Sequence, residues 1–343
     1  MNIAYLLPIL PPKEPRAEAL SQEIAAFRQA FGGTLSYVNP NRHLPVTLIP
    51  RLLFGWSDLL HLRRIGHTAD LYHFFNPDPF PFPFLLTLPR PVVYTVTGGL
   101  DIHAPRPNLA FLRRMAVVAV PDERTLAQLQ QWGLTNVALQ RPGVDTARIH
   151  PRPLALPPGD PLRLLVASAP WTPEQFVTKG FDALLATAQQ RPDLHLTLLW
   201  RGLLRDEIER RVHQLGLAER VCIIDRTVDV DDALANVHAA ALLPTRPGLV
   251  KAYPHSLLDA LAGGKPVLVS PALPMADYVA QTGCGLVVDA VTPAAIGAAL
   301  DQLRLRYPDL VSAARTVGPR DFTLAQAEAA AATIYARACG DRP

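Results

Sequence analysis

Short, unbroken apolar runs alternate with helix-forming stretches along this chain, and they do so in two series. In the first series, residues 2–7, 34–38, 71–75, 92–96, 117–120 and 137–140 read as strands, with helices at 17–31 and 122–132. In the second, strands are expected at 163–167, 194–200, 221–224, in a run ending at Pro244, at 266–269 and at 285–288. Helices are expected there at 180–190, 204–215, 231–239 and about 256–262, with a last one at 324–337. Unbroken apolar runs suit strands covered on both faces, and a strand–helix–strand order builds a parallel sheet. The predicted class is therefore α/β, with two Rossmann-like, doubly wound parallel-sheet domains. Between the series, residues 141–161 (RPGVDTARIHP to PLALPPGDP) carry too much proline and glycine to continue a helix or a central strand, and read as the linker.

A length of 343 residues supplies two full cores, and 49% apolar with 18% charged residues excludes general disorder. The net charge of +3 includes no Lys/Arg-rich run, so nucleic acid is not an expected partner. Cys222, Cys284 and Cys339 form no CxxC, which argues against a disulfide framework or zinc site and fits a reducing cytoplasm. The N-terminal MNIAYLLPILPPKEP reads as a first strand and not as a signal peptide, and no apolar run reaches the roughly 18 residues of a membrane span.

The stretch 242–270 carries the most chemistry. An apolar strand leads into a loop holding Lys251, Ala252 and Tyr253; Pro254 stands at or before a first helical turn, and Ser256 is placed to cap it. Backbone N–H groups at such a turn, here those of His255, Ser256 and Leu257, suit phosphate, and Asp259 one turn inside suits ribose hydroxyls. A loop cation, a helix N-terminus and an acid in that order fit a sugar nucleotide.

This stretch resembles the donor-binding segment of the family 4 retaining glycosyltransferases, which have the two-domain GT-B fold and carry two glutamates eight residues apart before an A-x-G-x-P-V run. Asp259 stands at the second acid, Lys251 at the first, and Ala262-Gly263-Gly264-Lys265-Pro266-Val267 matches the run. Lys179-Gly180-Phe181 matches the "K-G" whose lysine neutralises the donor's diphosphate, and PGVD at the linker resembles the family's hinge. The resemblance implies that the last helix crosses back onto the first domain. The expected domains are then 1–149 with about 323–343, for the acceptor, and 150–322, for the donor, facing each other across a cleft.

Several positions depart from the family pattern. Lys251 either binds the diphosphate or an acidic donor sugar, or leaves a site working through backbone contacts, or marks lost activity; retained activity with altered donor contacts is the expectation. Residues 167–171 lack the family's arginine, and Arg201, at the end of the next strand, is the candidate to replace its charge. Thr97 stands where the family has histidine, just before Gly98 and Gly99 at a strand end. The first loop has Pro11-Pro12-Lys13-Glu14-Pro15-Arg16 in place of a glycine pair, with Lys13 or Arg16 as substitutes. Thr227 follows a strand near the expected nucleobase. His73 is a strand histidine, more often structural. Asp229-Val230-Asp231 looks like a metal-binding D-x-D, but acids before a helix are ordinary, and Lys265 reads as decoration of a turn.

The resemblance thus implies transfer of a sugar from a nucleotide-diphosphate sugar to a glycan or lipid-linked acceptor, with retention and without metal or cofactor. Lys179, Lys251 and Thr97 are the expected catalytic residues. A non-catalytic nucleotide-sugar-binding scaffold and a sugar-nucleotide epimerase are the alternatives. The apolar set Leu52, Leu53, Phe54, Trp56, Leu59, Leu60 and Ile65, flanked by Arg51, Arg63 and Arg64, reads first as a core helix. Its second reading is a peripheral contact with the inner face of a membrane, extended by Phe80, Phe82 and Phe84.

Overall fold

The computed structural model describes residues 1–12, 18–43, 48–101, 105–200 and 203–340. They fall into two units, residues 1–143 with 324–343 and residues 144–323.

The first unit is a six-stranded parallel sheet in the order β2-β1-β3-β4-β5-β6. Its strands are β1 (Ile3–Leu7), β2 (Gly33–Tyr37), β3 (Leu71–Asn76), β4 (Val92–Val96), β5 (Val117–Val120) and β6 (Val137–Leu139). Every residue of β1, β3, β4 and β5 is buried, the outcome expected of unbroken apolar runs with helices on both faces. One face packs Leu6, Phe74, Tyr94 and Val118 with Phe82 and Phe84. The other packs Tyr5, Phe75 and Val93 against helix α1 (Ala19–Phe31) and the C-terminal helix, Leu324–Cys339.

The expected core helix over 51–65 does not form as one piece. A 3-10 turn at Arg51–Leu53 stops at Phe54, Gly55 takes a positive φ of 80°, and helix α2 covers only Leu59–Ile65. Phe54 and Leu62 are buried, whereas Leu52, Leu53 and Trp56 are about half exposed and Leu60 is 81% exposed. The apolar count was that of a core helix; its placement is not. Helices α3 (Leu109–Leu112) and α4 (Glu123–Gln131, capped by Asp122) complete this unit.

The second unit repeats the architecture, in the order β12-β11-β10-β7-β8-β9. The strands are β7 (Leu162–Val166), β8 (Leu194–Leu199), β9 (Val221–Ile224), β10 (Ala239–Leu242), β11 (Val267–Val269) and β12 (Gly285–Val287). The helices are α5 (Gln175–Thr178), α6 (Phe181–Gln190), α7 (Arg205–Gln214), α8 (Val230–Ala235), α9 (His255–Ala262), α10 (Met275–Thr282), α11 (Pro293–Leu305) and α12 (Tyr307–Asp321). The helix expected over 231–239 ends at Ala235, and Ala239-Ala240-Ala241 is instead a fully buried strand that ends at Leu242, not at Pro244. Alanine's helix preference is weak against the closeness two helical layers demand over a central strand.

The linker stays attached to this unit. The Asp231 carboxylate accepts the His150 N–H at 2.7 Å and an Arg152 guanidinium N–H at 2.5 Å, and buried Lys265 donates to the Arg152 carbonyl at 2.7 Å. Asp229 caps α8 by accepting the Asp231 N–H. The D-x-D acids thus have structural partners, and Lys265 is an anchor and not a decoration.

Candidate donor site

In the second sheet the chain runs from β7 to β8 and β9 on one side, then returns to place β10, β11 and β12 on the other. The strand order reverses between β7 and β10. Loops leaving the carboxyl ends of two such strands diverge, and the crevice they leave is where open parallel sheets hold ligands. The loop after β7 leads through α5 to Lys179, and the loop after β10 carries Lys251 to α9.

Lys179 is only 5% exposed. Its ammonium donates to the carbonyls of Ser168 and Ala169, at 3.2 and 3.0 Å, and lies 3.4 Å from the Ser168 hydroxyl. Burial pulls its pKa down to about 8. Lys179 is therefore not a solvated lysine at a helix start. Gly180, next in the chain, has φ +78°, and a Cβ there would stand 2.4 Å from the Leu243 carbonyl oxygen. Only glycine lets α6 begin this close to β10. The Thr245 N–H, donated to the Thr178 carbonyl at 2.8 Å, ties the two loops together.

Helix α9 starts at His255 with Pro254 as its N-cap, and no side chain caps it. Ser256 lies inside the first turn and does not cap, since a fixed φ makes Pro254 the natural entry residue. The Leu257 N–H goes to the Pro254 carbonyl at 2.9 Å, which removes it from the expected cradle. The first N–H groups of a helix point away from its own carbonyls, and Ser256 supplies one of them here. Burial, with the Lys251 charge as a lesser cause, holds the His255 imidazole well below its usual pKa, so the Lys251 ammonium acts at this end of α9. Asp259 is pushed up to about 7 by burial; the Arg148 charge opposes this and Asp145 adds to it.

The remaining sequence-based candidates are spread more widely. Ala252 and Tyr253 are buried in the core, Tyr253 against Phe322 and Tyr278, so they offer a ligand main chain and not side chain. Thr227 is exposed after β9. Arg201, Lys13 and Arg16 lie outside the described residues.

Thr97, Gly98 and Gly99 belong to the first unit, after β4. The Thr97 and Gly98 N–H groups bond to the Asn76 and Pro77 carbonyls, at 2.8 and 2.9 Å. A Cβ on Gly98 would meet the Pro77 oxygen at 2.5 Å, so this glycine is needed for close approach of two strand-end loops. His73 is fully buried between Tyr335 and Thr95, at 2.7 Å each, and burial drives its pKa to about 3: a neutral structural histidine.

Sequence reasoning missed two groups. Ser168 and Ala169 hold Lys179, and their only sequence signal is their place at the end of a strand. Asn76, Asp78 and Arg51 form a network at the end of β3, with Arg51 bidentate on Asp78 and 4.3 Å above the Phe80 ring. Among the described residues, no three His, Cys, Asp or Glu side chains cluster as a metal site, and no helix is long and apolar enough to cross a membrane.

Three solved structures show the same fold over nearly the whole chain. A glycosyltransferase from Rickettsia africae is 12% identical, with TM-score 0.73 and 99% of both chains covered. Anabaena HepE in complex with UDP-glucose is 16% identical, with TM-score 0.70, covering 97% of this chain and 99% of its own. Sucrose-phosphate synthase from Thermosynechococcus elongatus is 16% identical, with TM-score 0.70 and 98% of both chains covered. No curated protein matches in sequence. Residues 174–311, from just before α5 to within α12, match the family described as "Glycosyl transferases group 1". The second unit therefore contains a segment similar to the glycosyl transferases group 1 family, and the fold of the chain is that of these glycosyltransferase structures.

Proposed function

We propose that the chain transfers a sugar from a nucleotide-diphosphate sugar to a hydroxyl of a glycan or lipid-linked acceptor, with retention of configuration. The observation that carries this reading is the meeting, at one sheet reversal, of Lys179 and the Lys251–α9 loop, inside the segment that matches the transferase family. The diphosphate lies against the first turn of α9, where N–H groups and the helix dipole favour negative charge. Lys179 and Lys251 meet the charge that grows on the leaving phosphate as the bond from the anomeric carbon breaks. The acceptor oxygen bonds to that carbon on the same face, and its proton passes to the departing phosphate oxygen, so no protein nucleophile is needed. Asp259 accepts from the ribose hydroxyls. Anabaena HepE, of the same fold, was crystallised with UDP-glucose, which supports a nucleotide sugar as donor here.

Nucleotide-sugar panels with released nucleoside diphosphate as readout test the activity, and NMR of the product's anomeric proton tests retention. Turnover is expected to survive EDTA. Lys179→Ala is expected to lower kcat by about 10²–10³-fold, the scale for losing one donor at a developing charge. Equal turnover in the variant removes Lys179 from the mechanism, and an inverted product removes retention. The scaffold reading has one observation in its favour, since the protons of Lys179 already have protein acceptors. Nucleotide binding without turnover across the panel selects it.

The exposed Leu52, Leu53, Trp56 and Leu60 beside Arg63 and Arg64 support a lipid-linked acceptor reached from the cytoplasmic face of a membrane. Co-sedimentation with anionic vesicles is expected for the wild type and reduced in Leu60→Glu. Equal sedimentation of the two proteins removes the membrane contact.

A further inference from the structure

We propose that Ser168 is a positioning residue, whose left-handed backbone builds the seat that aims the Lys179 ammonium. The inference deepens the donor-site reading and rests on the role given there to Lys179.

An ammonium has three protons, and three oxygens converge on this one: the carbonyls of Ser168 and Ala169 and the Ser168 hydroxyl. Along an extended strand, successive carbonyls point to opposite sides. Two of them reach one atom only where the backbone leaves the extended form. Ser168 does so two residues past the end of β7, with φ 70°. Among the described residues, Leu204 alone is the other non-glycine with positive φ. A left-handed serine is a standing cost, and costs of this kind persist at ligand edges where the conformation itself is used.

The rest of the loop explains the need. Residues 167–171 read Ala-Ser-Ala-Pro-Trp and bring no cation to the reversal point, so what this loop offers a diphosphate is the placement of a cation from elsewhere. Lys179 has no alternative resting place inward. The space under its stem, lined by Val166, Phe181, Leu184 and Leu243, is about 10 Å³, room for about one water. The ammonium therefore either rests on the Ser168 seat or reaches outward from it. Burial pulls the group down to about 8, so the cation is retained at neutral pH.

The chain has four lysines, which makes the ammonium directly observable by NMR of lysine-labelled protein, with Lys179→Arg giving the assignment. In Ser168→Gly the left-handed backbone and both carbonyls remain while the hydroxyl is lost, so the Lys179 titration near 8 is expected to be kept and kcat to fall less than in Ser168→Val. In Ser168→Val a β-branched side chain opposes that backbone. The titration is then expected to move away from 8, and kcat to fall at least about tenfold while the donor KM stays within about threefold. These assays use whichever nucleotide sugar the wild type turns over fastest, on protein shown to be folded by circular dichroism. Wild-type titration and turnover in Ser168→Val overturn the proposal. Should that variant not fold, proton exchange at the wild-type Lys179 ammonium decides: slow exchange is expected, and exchange as fast as free lysine overturns the seat. If Lys179→Ala keeps full turnover, the donor-site reading fails whatever Ser168 does. If it loses turnover while Ser168→Val does not, only the seat is wrong.

Discussion

Lys179 is buried and Asp259 partly buried beside the proposed donor site, and burial moves the two groups in opposite directions. The carboxyl rises to about 7 and the ammonium falls to about 8. Between about pH 4 and 7 the folded chain holds a proton on Asp259 that the unfolded chain has released. Its stabilising contribution is therefore complete at low pH and is lost as pH rises through that window. Asp259→Asn is expected to flatten the stability profile there, measured by chemical denaturation; an identical slope in the two proteins excludes the shift. Ribose hydroxyls donating to Asp259 favour its ionised form, so nucleotide binding near pH 6.5 should release more protons in the wild type than in Asp259→Asn. Calorimetry in buffers of different ionisation enthalpy measures the difference, and equal proton release removes Asp259 from the ribose. The sequence named both side chains as donor-site candidates through strand order and resemblance. It did not show Ser168 and Ala169 as the acceptors of Lys179, because a left-handed serine has no signature in the one-dimensional pattern.

Helix α9 has no acid in its first turn. An acid there normally stabilises a helix by about 0.3–1 kcal/mol through the macrodipole. Ser256→Asp should therefore hold or raise the melting temperature while weakening UDP binding at least about tenfold, because the new charge meets the phosphate. Unchanged UDP affinity would place the diphosphate elsewhere. The opposite signs separate ligand repulsion from damage to the helix. Elements with one dominant pattern were legible: the apolar runs at β1, β3, β4, β5, β10 and β11 became fully buried strands, and Gly180 opened α6 as expected. Two elements were not. Residues 51–65 have the apolar content of a core helix, but the Phe54–Gly55 break turns Leu52, Leu53 and Leu60 outward. The helix expected over 231–239 stops at Ala235, and Ala239 instead opens the buried central strand. In both cases tertiary placement overrode local preference.

At the scale of the whole molecule, each unit has a sheet with a core on either face, and the C-terminal helix is part of the first. That helix brings Tyr335 to His73 in the middle of β3. Tyr335→Phe leaves a fully buried imidazole nitrogen without this partner, a loss of about 1–3 kcal/mol. Denaturant unfolding should show that decrease while UDP affinity stays unchanged; an unaltered midpoint would mean the hydrogen bond contributes nothing. The linker's attachment through Asp231, Arg152 and Lys265 was illegible beforehand, because those partners are far apart in sequence and each has an ordinary surface reading. The central claim is that a donor diphosphate rests where the strand order of the second sheet reverses. A crystal structure of the chain soaked with UDP tests it most directly. The account predicts a phosphate oxygen within hydrogen-bond reach of the Ser256 N–H, with the Lys179 ammonium beside it. UDP bound elsewhere, or the first turn of α9 closed to it, would contradict the account.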